Sequence, residues 1–208
     1  MLSTLEGHIT YNPQNFLEPQ TEIFINKSQT WHGDFIVNQT DTVVIENCNF
    51  TVQDGDIYVY GNLSVYNSTI TIHRNTFAKY IWVIGGNLTF NGSVTAGRCV
   101  IWCYQGAQTR IYDSKVRWVF WSQAAVHIYN STVRQAQGDH GCPAVIENSE
   151  VMYSGVYLRA KTSFSIVNSN ITVWFDVYIT ESLPSSIQNL RIQPGYIKAV
   201  SYTHLRAH

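Results

Sequence analysis

Two short runs of alternating apolar residues, joined at an Asn where the alternation slips by one, recur about every twenty residues along almost the whole 208-residue chain. Residues 61–72 show the unit: in GNLSVYNSTITI, Leu63 and Val65 alternate, Asn67 interrupts, and Ile70 and Ile72 resume out of phase. Alternation marks a strand, and Asn tolerates the left-handed backbone that a sharp corner needs. The corner residues are Asn47, Asn67, Asn91, Asp113, Asn130, Asn148, Asn168 and Asn189, spaced 20, 24, 22, 17, 18, 20 and 21 residues apart, with Asn26 lying 21 before Asn47. Such a period means stacked coils, each leaning on its neighbours.

Two solenoids share this period, and the place of the Asn separates them. A leucine-rich repeat sets its Asn three residues after one apolar position and two before the next. Here the order is reversed. The apolar position stands two before the corner (Ile45, Val65, Thr89, Ile111, Ile128, Ile146, Ile166, Ile187) and the next stands three after it (Phe50, Ile70, Val94, Val116, Val133, Val151, Ile171, Ile192). No helical periodicity intervenes; the text between corners alternates again, as in Ile57-Tyr58-Val59-Tyr60. Three short strands per turn follow.

On these columns the chain resembles the right-handed parallel β-helix repeat family, the pectate-lyase-like solenoids, over roughly residues 21 to 195. The resemblance implies an all-β, single-domain right-handed parallel β-helix of about eight to nine turns. It is silent on activity, because the family holds polysaccharide lyases and hydrolases, adhesins, phage tailspikes and surface proteins. Stacking places corner residues about 4.8 Å apart. Asn47, Asn67, Asn91, Asp113, Asn130, Asn148, Asn168 and Asn189 are therefore expected to bond one above another as an Asn ladder, with Asp113 its weakest rung. Residues 21–198 form the helix in this reading, residues 1–20 a cap or incomplete first turn, and residues 199–208 a non-native tail that resembles translated sequencing-adapter DNA.

Composition narrows the classes. Charged residues are 13% of the chain, about half the usual share. Solubility then rests on hydroxyls and amides, which suits an extracellular or cell-surface protein. Net charge is −1 with no basic block, so nucleic acid is not the expected partner, and no apolar run is long enough to span a bilayer. Cys48, Cys99, Cys103 and Cys142 show no metal spacing; the first three are read as small buried fillers, and a bridge from Cys142 to another turn is left open. No metal and no cofactor is expected. Asp54 and Asp56 are read as turn chemistry rather than a calcium pair. Nine sequons occur, but the repeat itself generates them. Asn67, Asn91 and Asn130 should be buried in the corner, whereas Asn49 and Asn170 point outward.

The residue before each corner should face solvent. That column reads Glu46, Tyr66, Phe90, Tyr112, Tyr129, Glu147, Val167, Gln188. Its four consecutive aromatics suit stacking on sugar rings, although stacking on one another would also explain them. Arg110, Lys115, Arg117, His127, Arg134, Glu147 and Glu150 gather on the same middle turns. Glycosidic hydrolysis needs two carboxylates facing across a cleft, and Glu147 and Glu150 stand on opposite sides of one corner. The expected function is therefore a non-catalytic scaffold binding glycans or other surface proteins through Tyr66, Phe90, Tyr112 and Tyr129, with Arg110, Arg117, His127, Arg134 and Glu147 beside them. The alternative is a polysaccharide lyase or glycoside hydrolase using the charged patch.

Overall fold

The computed structural model describes residues 21–75, 79–139, 143–159, 164–179, 186–188 and 191–201. Among these residues every regular element is a strand, and all pairings are parallel. Nine strands stack in one sheet: Glu22–Ile25, Thr42–Glu46, Asn62–Tyr66, Asn87–Asn91, Gln108–Tyr112, Ala125–Tyr129, Ala144–Glu147, Phe164–Val167 and Ser186–Gln188. Removing the two end strands leaves seven with a neighbour on both sides, a stack of about seven turns and slightly shorter than expected. The chain is a parallel β-helix.

This nine-stranded sheet is the first face. After the corner each turn continues along a second face (Asn49–Gln53, Thr69–His73, Val94–Ala96) and a third (Ile57–Val59, Lys79–Ile84, Cys99–Tyr104). From Lys115–Ser122 onward the two run as one long bent strand, so both belong to a single thirteen-stranded sheet. The same long strand recurs at Thr132–Asp139, Glu150–Arg159, Asn170–Ile179 and Arg191–Ser201. The last of these carries the pairing to Ser201, past the end of the sequence repeat. Gln29–His32 is also a strand, with Trp31 in register with Val52.

The core is a set of columns, one rung per turn. Ile45, Val65, Phe90, Ile111, Ile128, Ile146 and Ile166 run down the inside of the first face, all buried. Side-chain size is balanced along a column. Trp121, at 2% exposure, sits between Cys103 above and Gly138 below. A Cβ on Gly138 would lie 2.5 Å from the Trp121 ring, so only glycine leaves room for the indole.

The corner between the first and second faces differs from expectation. Asn47, Asn67, Asp113, Asn130, Asn148 and Asn168 do adopt left-handed backbone, with φ between 46 and 53°. At the third of these turns, however, the left-handed residue is Gly92 (φ 60°), and Asn91 belongs to the strand before it. Phe90 is in register with Val65 and Ile111, and Asn91 with Tyr66 and Tyr112. One extra residue before the corner explains the shift. The true inward residues of this turn are Phe90 and Thr95, not Thr89 and Val94, and Val94 is exposed.

The ladder that holds the corner is made of serine. Each residue following the left-handed one is buried: Cys48, Ser68, Ser93, Ser114, Ser131, Ser149 and Ser169. The backbone N–H of each of the first six donates to the hydroxyl of the residue in the next turn, at 3.0 to 3.2 Å. Each hydroxyl from Ser68 to Ser169 in turn donates to the carbonyl two residues earlier, at 2.6 to 2.9 Å. A tight corner leaves one N–H per turn without a strand partner, and the stacked hydroxyls accept it. The corner Asn side chains are exposed, not buried as expected. Among them Asn130 donates to Asp113 at 2.5 Å, so the supposed weak rung is bonded. An amide-to-amide bond joins Asn87 to Asn62 at the start of the first-face strands instead. Asn189 lies outside the described residues.

Candidate functional site

Outward chemistry is distributed over three faces, and their separation decides what each can do. On the first face the column before the corner reads Glu46, Tyr66, Asn91, Tyr112, Tyr129, Glu147, Val167, Gln188. Phe90, expected here, is fully buried in the core, so the aromatic run is broken by Asn91. Tyr112 and Tyr129 remain neighbours with ring centroids 6.4 Å apart, and His127 stands edge-on to both. The His127 Nε2 lies 3.9 Å from a Glu147 carboxylate oxygen. Arg110, in register with His127, donates to Gln108 on its own strand. This small group is real, but Tyr66 is two rungs away from it.

Arg117 and Arg134 stand on the second face, around the serine corner from Tyr112, His127 and Glu147. With Lys115 and Thr132 they line an open groove of about 350 Å³ whose floor includes Val94, Val116 and Met152. Arg117 donates Nη1 to the Gly97 carbonyl at 2.8 Å and lies with its Cζ 4.8 Å from the Trp118 ring centre. The expected single charged patch is therefore two patches on different faces.

Among the described residues the longest outward aromatic column is on the third face. Ile36, Tyr58, Trp82, Trp102 and Phe120 follow one another in register. Trp82 and Trp102 have centroids 5.9 Å apart, and Trp102 meets Phe120 edge-on at 5.4 Å. Tyr80 stacks on Trp82 at 4.5 Å and Tyr104 meets it edge-on at 6.2 Å. Burial of the alternate residues Ile57, Val59, Ile81, Val83, Ile101 and Cys103 forces these rings outward. Ile36 at 42%, Tyr60 at 37% and Trp102 at 36% are among the most exposed large side chains described.

Asp56 fixes the upper part of this strip. Its carboxylate, 3% exposed, accepts from the Arg74 guanidinium at 2.8 Å, the Tyr80 backbone N–H at 3.1 Å and the Trp82 indole at 3.5 Å. A buried carboxylate so paired holds one rotamer of Trp82 and brings Arg74 to the rim. Asp54 takes the left-handed position of the adjoining turn, as its reading as turn chemistry implies. Burial, with the neighbouring Asp34 and Asp56 carboxylates, raises the Tyr58 phenol, and burial raises that of Tyr104.

Of the sequon asparagines, Asn49 is exposed and Asn170 half-buried, while Asn67 and Asn130 are exposed rather than sequestered. Among the described residues no three His, Cys, Asp or Glu side chains converge to hold a metal, and no helix is long and apolar enough to cross a membrane. His140 and Cys142 lie outside the described residues. The chain matches no protein-family model, no curated protein and no solved structure.

Proposed function

We propose that the protein is a non-catalytic scaffold, extracellular or at a cell surface, that binds a glycan chain along its third face. The observation that carries this reading is the in-register outward column of Tyr58, Trp82, Trp102 and Phe120. Its rungs repeat about every 4.8 Å, close to the length of one sugar ring. Aromatic surfaces pack against pyranose C–H groups, and the phenols of Tyr58 and Tyr104 with the Arg74 guanidinium supply polar partners at the edges. The scaffold is stiff, because each interior turn is hydrogen-bonded on both sides over a continuous core.

Support for an extracellular setting is the small share of charged residues and the exposed sequon at Asn49. Support for binding without cleavage is the arrangement of the charged groups. Arg117 and Arg134 do not face Glu147, and the buried carboxylate under the aromatic strip, Asp56, is committed to Arg74 and Trp82. A glycan array probed with the wild type and with Trp102→Ala tests the proposal. The expected result is selective retention by wild type, weakened about tenfold or more by the substitution, with no new reducing ends or unsaturated products. Cleavage of any polysaccharide, or retention indifferent to Trp102→Ala, overturns it.

A further inference from the structure

Resting on the third-face reading above, we propose that the ligand is an uncharged polysaccharide. Its chain lies along the helix axis, with sugar rings on the aromatic column and hydroxyls on the amides of Gln135 and Gln137 at the column's end.

Register sets the two rows that such a chain meets. One runs Tyr58, Trp82, Trp102, Phe120 and on to Gln137. Two residues earlier on each strand, Tyr80, Val100, Trp118 and Gln135 form the second. Neither row holds an Asp, Glu, Lys or Arg over these rungs. Charge enters the first row only past Tyr157, at Asp176 and Lys198. A sugar carboxylate set on Trp82 or Trp102 would give up its hydration with no opposite charge in the row to replace it. A neutral pyranose gives up only the hydration of its C–H face.

The charges at the rim point the same way. Burial first, and then Asp34 and Asp56, raise the Tyr58 phenol, and each carboxylate outweighs the opposing Arg74. Arg74 is itself bound to Asp56 at 2.8 Å. On the far flank the row Ile84, Tyr104, Ser122 leads to an acidic position, Asp139. Lys79 and Arg117 stand one residue before the second row, at the bend, and Arg117 is held there by the Gly97 carbonyl and the Trp118 ring.

Both rows change character on the same rung. Gln135 follows Trp118 in register and Gln137 follows Phe120, so rings give way to two half-buried amides. The Gln135 Nε2 donates to the Gln137 Oε1 at 3.5 Å, a long bond that a sugar hydroxyl can replace, since each amide both donates and accepts. Tyr58 to Gln137 spans four intervals of about 4.8 Å, roughly 19 Å, so about five successive sugar rings fit along the rows.

The test titrates the full chain calorimetrically with cellohexaose, xylohexaose, mannohexaose and hexagalacturonate, at low and high salt, and with the trimer of whichever neutral sugar binds. The variants are Trp102→Ala and Gln137→Ala, with Tyr129→Ala as a control that removes an exposed ring from the first face. Folding of each is checked by circular dichroism. At least one neutral hexaose should bind about tenfold or more tighter than hexagalacturonate, with less than about a twofold change between the two salt conditions. The trimer should bind about tenfold more weakly than the hexaose, and Gln137→Ala should weaken the hexaose about fivefold, with Tyr129→Ala unchanged. Equal or tighter binding of hexagalacturonate, still lost in Trp102→Ala, overturns the inference and leaves the third-face reading standing. Absence of binding by all three neutral hexaoses also overturns it, as does Gln137→Ala binding as tightly as wild type. Hexaose binding indifferent to Trp102→Ala refutes the third-face reading itself, and the inference with it.

Discussion

Ser114→Ala isolates the contribution of the buried serine column. Ser114 is 1% exposed; its hydroxyl donates to the Tyr112 carbonyl at 2.6 Å and accepts the Ser93 N–H at 3.0 Å. Removing the hydroxyl affects the two partners unequally. The Tyr112 carbonyl keeps the Gly92 N–H at 3.1 Å, so it remains satisfied. The Ser93 N–H, on a residue with 0% exposure, loses its acceptor, and water has no access to replace it. A buried donor left unsatisfied costs about 1–3 kcal/mol, and the substitution should destabilise the protein by that amount. The comparison is Asn148→Gly at the left-handed, exposed position of another turn. Gly92 occupies that position naturally, so Asn148→Gly should fall within about 0.5 kcal/mol of wild type. Urea unfolding measures both, and hydrogen exchange at the Ser93 amide reads the orphaned donor directly. A neutral Ser114→Ala with unchanged exchange at Ser93, or a costlier Asn148→Gly, refutes the assignment of the corner to serine.

Three further outcomes follow from the packing. Phe90→Ala should cost about 3–5 kcal/mol in urea unfolding while Tyr129→Ala stays near neutral, since Phe90 is in the core and Tyr129 is 39% exposed. Gly138→Ala forces a methyl into the enclosed Trp121 ring and should destabilise by about 1–3 kcal/mol, with altered near-ultraviolet circular dichroism from the indole. Burial pushes the Cys99 and Cys103 thiols up to about 12 in the folded protein, so both stay protonated there while the unfolded chain ionises near 9. Their stabilisation is thus complete below about pH 9 and is lost as pH rises from there toward 12, at up to about 1.4 kcal/mol per pH unit for each thiol. The Cys99→Ala and Cys103→Ala double variant should show a flatter alkaline limb than wild type.

The helix itself was legible because its signal is repeated and local. A corner Asn with an apolar residue two before and three after defines stacked columns without reference to anything distant, and Ile45, Val65, Ile111 and Ile128 stand where that pattern places them. The same signal misled at one turn. Reading the corner on Asn put Asn91 at the bend and Phe90 outside; reading it on the Ser that follows, Ser68, Ser93, Ser114, Ser131, gives the observed register. The serine signal is faint in the sequence because a residue that accepts a buried N–H looks there like an ordinary exposed polar one.

The third-face strip was hidden for a different reason. In KYIWVI and VIWCY both phases of the alternation are apolar, so periodicity alone does not say which phase enters the core. Phe120 faces out while its neighbour Trp121 is buried, an order that volume matching against Gly138 decides and that no local rule predicts. Spacing gave no help either. The distance from corner to third face shrinks from 14 residues, Asn67 to Ile81, to 6, Asp113 to Val119, because the bend between the second and third faces becomes continuous strand. The charged residues were located along the chain but not around it. Arg117 and Glu147 lie on opposite sides of the corner, and the turn between them sets two separate patches.

Both functional proposals require that outward residues a turn apart lie directly over one another, and disulfide trapping measures this most directly. Trp102 and Phe120 are register partners, so Trp102→Cys with Phe120→Cys places two Cα atoms about 4.8 Å apart, within disulfide range. Trp102→Cys with Trp118→Cys is offset by two residues along the strand, which opens the separation to about 8 Å, beyond that range. Mild oxidation should close the first pair and leave the second reduced. Closure of the second pair in preference to the first would contradict the register, and with it the aromatic strip.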